Sequence, residues 1–372
     1  MNKYSEEPFQ FLRRKKSNEA FGTEIIENWY IARAYVLDKL KDVKFAPHSK
    51  KHLHVVVMGD SPLMLSIARQ VALSAHYLNF VEPTEKSPAQ NRTIITIESQ
   101  KNDIKDILKR EEYFCNLLEC CRNVIYGVED NNDSYVDIEL QVVKKWESEI
   151  GDECILITEE SVDVFCKSKS PDEIYTIDTR KAVFASRVYE IGASIDNILY
   201  EDIHDAKRYS QALETFQYIQ MERPWNPLID ENNQNDLTKV KEALSNIFCS
   251  DCFETRYQEI QLCSNGNEKD HKQYWEKYNT ALSMSEHARW VVEKLIMGYR
   301  PLGPKERIDD ERIMGSKKLK QYRKQLKRNP EDPVHIDLCS YANLRRIDPD
   351  NMKYDSFLML AIPDILKKCS QK

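Results

Sequence analysis

A short β-branched run that ends on a glycine and passes into an apolar-periodic stretch constrains this chain more than any other feature. Leu53-His54-Val55-Val56-Val57-Met58 reads as a strand, Gly59 as the turn, and Pro62 to about Leu78 as a helix. Strand, tight turn and helix in that order open a doubly wound α/β unit. Ser61 suits the N-cap and Pro62 the first helical position, whose missing N–H would be unpaired in any case. Amides at such a helix start attract phosphate or carboxylate, so Gly59, Asp60, Ser61 and Pro62 form a candidate cofactor site.

The dinucleotide fingerprint asks for glycine at the first, third and sixth positions, and here those hold Gly59, Ser61 and Met64. Glu82 or Glu98 could supply the acid that binds a ribose. Two states follow: a bound adenine nucleotide or NAD, or a ligand-free structural unit. Further strands are predicted at Arg92 to Glu98, Val136 to Val143, Ile155 to Thr158 and Ile174 to Asp178, with a charged helix from about Asp103 to Arg122. Their alternation with helices implies a mainly parallel sheet. Residues 19 to 42 read as a packed helix, Thr179 to Met221 as helical, and Pro224 to Asp236 as a loop before a helical stretch from Leu237 to Tyr278.

At 372 residues the chain has room for two domains, since single cores stop growing near ~250 residues. A net charge of −7 argues against a general nucleic-acid coat. No apolar run approaches the roughly 20 residues needed to cross a bilayer. The opening residues, with Glu6, Glu7 and the Arg13 to Lys16 cluster, carry no signal-peptide core, so a cytosolic protein without membrane insertion is expected. The 10 cysteines form no framework and read as reduced thiols. Cys249, Cys252, Cys263 and His271 could be zinc ligands or ordinary core and surface groups, because the second half lacks the paired spacing of a zinc ribbon.

The last third carries a series of blocks: Glu286-His287-Ala288-Arg289-Trp290, Gly298-Tyr299-Arg300, His335-Ile336-Asp337-Leu338, Tyr341-Ala342-Asn343-Leu344, Lys353-Tyr354-Asp355 and Ile362-Pro363-Asp364-Ile365-Leu366. In that order and spacing they resemble the Ryr domain, a module named for repeats of ryanodine receptors and also found in bacterial proteins. The preceding unit resembles the Rossmann-like domain that accompanies Ryr modules in some bacterial proteins. The resemblance implies a small-ligand, adenine-nucleotide-type receptor with a role in phage defence or second-messenger signalling. Two departures stand out: Gly298-Tyr299 replaces Gly-Trp, and Lys317 to Arg328 enlarges the loop before the His335 block.

Read from its own residues, Ser283-Met284-Ser285-Glu286 fits a capping box, and Ala288, Val291, Val292, Leu295 and Ile296 form an apolar stripe. Trp290 falls opposite that stripe with Glu286, Glu293 and Met297, to be covered by the Gly298 to Pro304 turn and the helix near Ile362 and Leu366, or offered to a ligand. In the ligand reading Trp290, Tyr299 and Tyr341 give flat faces, and Arg289, Arg300 and His335 give cationic donors that grip phosphate. Asp337 and Asp355 complete the candidate ligand-binding set. Lys317 to Arg328 predicts a basic helix, either solvated or facing a phosphate-rich ligand, an acidic partner or nucleic acid, the last disfavoured by the acidic whole. No nucleophile–base set assembles: adjacent Glu286 and His287 diverge by about 100° on a helix, and Cys120-Cys121 beside Arg122 is one thiol pair near one cation.

The expected architecture is thus an N-terminal helical lead over 1–50, a Rossmann-like α/β domain over 51–222, a helical connector over 223–278 and a mostly helical Ryr-like domain over 279–372. The expected function is non-enzymatic sensing of a nucleotide or nucleotide-derived messenger. An NAD-dependent enzyme or redox sensor using the Gly59 turn, and a protein-interaction scaffold, are the alternatives. A homo-oligomer is the base-rate expectation, with an unidentified protein partner as a further route for output.

Overall fold

The structure is a computed structural model that describes residues 32–33, 35–110, 113–146, 154–158, 245, 248–264, 271–313, 316–329 and 332–370, together with the backbone alone of 185–190 and of 271–272, 316, 350 and 368–370 within those spans. Its strands are β1 (His54–Met58), β2 (Thr93–Glu98), β3 (Arg122–Ile125), β4 (Val128–Asp130), β5 (Ile138–Val143), β6 (Cys154–Thr158) and β7 (Ala185–Glu190). They form one seven-stranded sheet in the order β4-β3-β5-β2-β1-β6-β7. Every neighbouring pair is parallel except the β3–β4 hairpin, so the fold is α/β with a mostly parallel sheet.

Central strands read as unbroken Val/Ile runs because both faces are covered. Val55, Val57, Ile95, Ile97, Ile155 and Ile157 face the large core. Val56 and Leu156 face the opposite way, into a smaller cluster with Met58 and Trp146. Helix α1 (Pro62–Ser74) follows β1 directly, with Ser61 Oγ accepting the Met64 N–H at 3.3 Å. It ends at Ser74, four residues short of the sequence reading, as Ala75 leaves helical geometry at φ −99°, ψ 68°.

Two other sequence readings are corrected. The helix expected over 103–122 is two short ones, α2 (Ile104–Leu108) and α3 (Leu117–Cys120), separated at Cys115 with φ 47°. Arg122 begins β3, and Tyr126 and Gly127, at φ 52° and 82°, make the two-residue loop into β4 that a type I′ hairpin needs. Residues 185–190, read as helical, form β7 in parallel with β6. The strand expected at Ile174 to Asp178 and the loop at 224–236 lie outside the described residues, as does most of the helix read over 19–42.

The remaining helices are α4 (Phe253–Cys263), α5 (His271–Lys277), α6 (Asn279–Ile296), α7 (Pro304–Arg312), α8 (Ser316–Arg328), α9 (Tyr341–Ile347) and α10 (Pro349–Ser370). Val291, Val292, Leu295 and Ile296 of α6 join the sheet core, while Leu282 at its other end joins a second cluster with Phe253, Trp275, Met359 and Ile362. Helix α6 therefore bridges the sheet and the helical layer. Polar pins reinforce the junction: Arg33 forks onto Asp251, Ser285 Oγ donates to His76 O, and Tyr135 Oη donates to Leu338 O at 2.8 Å.

Glu259, on α4, is the most buried of these pins, and its carboxyl accepts the backbone N–H groups of Phe45 and Leu78. Burial pushes its acid up to about 8 despite those two bonds. The folded state thus holds a proton that an unfolded glutamate releases, so this group's contribution to stability is full below pH 4.5 and declines as pH rises to about 8. Glu259→Gln is expected to keep an acceptor and abolish that component. Glu259→Leu should cost roughly 2–3 kcal/mol by stranding buried donors. Urea unfolding of the three proteins from pH 4.5 to 8.5 checks both.

Candidate functional site

The Glu286 to Trp290 run lies in the middle of α6, whose 18 residues include 13 that are buried. Because the helix starts at Asn279, Ser283 and Glu286 are interior and form no capping box. Ser283 Oγ instead donates to Asn279 O. The side predicted to be polar is also inside: Glu286 and Glu293 are 3% and 0% exposed. Such carboxylates need cations, and the sequence supplies them at helical spacing. Arg289 bonds Glu286 at 2.8 Å and Glu293 at 2.6 Å, Arg256 pairs with Glu286 at 3.0 Å, and Lys294 holds the other Glu293 oxygen at 2.5 Å. Burial alone would raise the Glu286 acid, but Arg289 and then Arg256 outweigh it and hold it below its usual range.

On a neighbouring face, the same helix presents rings. His287 and Trp290 stack three residues apart, with centroids at 6.0 Å and planes at 20°. Trp290 stands edge to face with His335 at 4.9 Å and 79°, and Tyr299 meets the same imidazole at 6.1 Å. Tyr341 closes the set against His287 at 5.8 Å. Trp290, Tyr299, His335 and Tyr341 are therefore brought together. Trp290 is the half-buried member; the others are buried. Its cover is these two histidines and Lys294, whose Nζ lies 5.8 Å from the indole centroid, rather than Ile362 and Leu366, which belong to the other cluster.

Loops and helix starts set the opposing wall. Ser340 caps α9 through the Asn343 N–H. The Glu82 carboxylate accepts the N–H groups of Tyr341 and Ala342, which makes it a clamp on the start of α9. Asp337 is 4% exposed and its Oδ2 accepts from Asn351 at 2.6 Å. Asp355 faces His287 Nδ1 at 3.8 Å, while His287 Nε2 donates to Cys339 O at 2.8 Å.

Burial moves this group toward neutrality. It pulls His287 down to about 4 and His335 further below its usual value, with Lys327 and Lys294 adding to the second. It pushes Asp337 up to about 6 against the Asn351 bond, and it raises Asp355, aided by Glu286.

The expected phosphate grips are differently placed. Arg289 turns inward to its two glutamates, and Arg300 is forked onto Glu306 and Asp332, whose hydrogen bonds raise its pKa. Burial, with Lys327 and Lys294 adding to it, disfavours the cationic form of His335. Three contributors were not in the expected ligand-binding set: His287, Asn351 and Glu82, the last read from the sequence as a candidate ribose acid. Only His287 carried a signal, since its i,i+3 spacing to Trp290 puts both on one helix face.

At the other candidate, Gly59 has φ 123°, a conformation that suits glycine, and its N–H reaches Glu98 O. The strand order reverses between β1 and β6, where open α/β sheets offer a ligand crevice. Asp60, however, is bound to Ser99 Oγ and to Lys101 Nζ at 2.9 Å, and Ser61 is spent as the cap. Pro62 occupies the first helical position. Met64 is fully buried, with its Cγ 3.7 Å from where a Gly59 Cβ would stand. Glu98 ends β2 in register with Met58 and accepts the Trp146 N–H at 2.8 Å.

The cysteines are quieter. Burial pushes Cys120 up to about 12 and Cys252 to about 11, and raises Cys121 and Cys249, while Arg122 is taken by Glu139 at 2.7 Å. Cys249 and Cys252 sit in the core, Cys263 donates to Glu259 O, and the His271 side chain lies outside the described residues. Among the described residues no group of three His, Cys, Asp or Glu is set to hold a metal ion. Among them, too, no helix is long and apolar enough to cross a membrane. A cleft of about 360 Å³ opens where β1 and β6 begin, lined by Lys44, Phe45, His52, His54 and Cys154, and none of the candidate residues borders it. No family model, curated protein or solved structure matches the chain.

The two arginines should separate in denaturation. Arg289→Met removes the cation that Glu286 and Glu293 share, leaving Glu286 only Arg256 and Glu293 only Lys294, and is expected to cost about 3 kcal/mol. Arg300→Ala removes a partly exposed fork and should cost about 1 kcal/mol or less. Equal losses by urea titration would contradict the network assignment.

Proposed function

We propose that this protein is a receptor for a nucleotide or nucleotide-derived messenger, with the ring cluster as its site. In this reading the helical layer from α6 to α10 is Ryr-like and the sheet unit is a Rossmann-like support. The supporting observation is the convergence of Trp290, Tyr299 and Tyr341 with two imidazoles, drawn from α6, the turn after it, the His335 segment and α9. Flat rings of this kind stack on planar ligands.

Occupancy would be transmitted by population shift. The His335 to Tyr341 segment carries both the ring contacts and the links to Tyr135 and Glu82, so a ligand that favours one placement of that segment alters its grip on the sheet unit. Output would then pass to a second copy or to another protein.

The NAD reading keeps two observations of its own, the positive φ of Gly59 and the position of Glu98 at the end of β2. The engaged Asp60 carboxylate and the buried Met64 weigh against a pyrophosphate there.

Thermal-shift measurements with ATP, cyclic nucleotides, ADP-ribose and NAD discriminate the readings. A stabilisation that Trp290→Ala abolishes and Ser61→Glu retains is the expected result, and at ligand concentrations of 100 times Kd it should amount to about 2.7 kcal/mol. The reverse pattern would move the ligand to the Gly59 turn, and no shift with any compound would favour a scaffold.

A further inference from the structure

Two buried polar atoms in the ring cluster lack hydrogen-bond partners: His335 Nε2 and Asp337 Oδ1. Their side chains are 6% and 4% exposed as residues, and they sit two positions apart on one turn. The tautomer follows from the backbone. The Asp337 N–H donates to His335 Nδ1 at 3.3 Å, so in the neutral ring Nδ1 holds the lone pair and Nε2 carries the proton. Neighbouring rings accept such a proton only weakly, so Trp290 and Tyr299 do not replace a true acceptor. Asp337 Oδ2 is taken by Asn351, which leaves Oδ1 as an unpaired acceptor. Folded proteins pair nearly all buried polar atoms, so the unpaired donor of His335, which Trp290 and Tyr299 flank, and the unpaired acceptor two residues on are groups that a ligand could satisfy.

Charge narrows the ligand further. Both arginines that could grip phosphate are already held by two carboxylates each, and Lys294 is bound to Glu293. We propose that the cluster recognises an uncharged planar heterocycle of nucleobase type by its edge, with His335 Nε2–H donating to a ring acceptor and Asp337 Oδ1 accepting from an adjacent amino or imino group. This rests on the receptor reading and changes what the receptor measures: the base, not the phosphates. Access to the set would be over Trp290, its half-buried ring.

The test uses the full chain and Trp fluorescence or calorimetric titration with the four common ribonucleosides, their monophosphates and their triphosphates, at low and high salt. For the preferred base, nucleoside and triphosphate should bind within about threefold of each other, and affinity should change less than about twofold with salt, since no exposed ion pair is made. His335→Asn keeps an acceptor near Nδ1 and loses the donor, so a tenfold or larger loss is expected; His335→Gln, whose amide reaches toward Nε2, should recover part of it. In Asp337→Asn the Asn351 bond holds the amide oxygen, which places NH₂ where Oδ1 was and should shift preference to a base with an acceptor at that edge. Circular dichroism and melting report whether each variant folds.

Binding of phosphorylated ligands alone, salt-sensitive and lost in Lys327→Ala, would overturn this proposal while leaving a nucleotide receptor. Nucleoside binding unaffected by His335→Asn and Asp337→Asn would also overturn it, the two atoms then serving water. Silence from every compound would remove the receptor reading itself.

Discussion

The ion network on α6 sets the orientation on which the rest depends. A helix buried on nearly every side has no polar face to fix its rotation, and apolar packing alone tolerates small slips. Glu286, Arg289 and Glu293 remove that freedom, because a guanidinium fork satisfies two carboxylates in one geometry only. Arg256 from α4 ties the same network to a second helix. Desolvating these charges is costly, so the arrangement adds less to stability than to uniqueness. With the rotation fixed, His287 and Trp290 have a single direction in which to point.

That direction is toward segments anchored on the sheet unit. Tyr299 O accepts from Asn116 Nδ2 at 2.9 Å, Leu338 O accepts from Tyr135, and α9 begins on the Glu82 carboxylate. Each anchor lies in a loop or turn beside the strands, and each is within a few residues of a ring. The Arg300 and His335 backbones also exchange hydrogen bonds with the opposing segment, Arg300 N to Pro333 O and His335 N to Arg300 O. The ring cluster is thus assembled by the interface between the two layers. Its geometry cannot change without altering contacts that hold the layers together.

How much of this was legible follows from particular residues. β1, β2, β5 and β6 show in the sequence because Val and Ile fill both faces of a covered parallel sheet. β3 and β4 do not, being four and three residues long with a fully exposed second strand. The Ser283–Glu286 spacing mimics a cap because the motif records only an i,i+3 relation, which also occurs inside helices. Convergence of Trp290, Tyr299, His335 and Tyr341 was readable as a set. The fate of Arg289 and Arg300 was not, since composition shows a cation but not the carboxylates that claim it, and Glu306 and Asp332 reach Arg300 only through the fold.

The contrast between the two sides of α6 is a matter of partner geometry rather than of burial. Glu286 and Glu293 are as deeply buried as His335 and Asp337, yet the first pair meets guanidinium and ammonium at 2.5–3.0 Å and the second meets rings, an amide and a backbone N–H. Arg289 and Arg256 hold the Glu286 acid below its usual range in spite of burial, whereas burial without such partners favours the neutral form. Burial is the largest cause by which His287 and His335 fall and Asp337 and Asp355 rise. The molecule therefore keeps its tightly paired charges on one side of a helix, where they fix structure, and places imidazoles, carboxyls without cationic partners and π faces on the other.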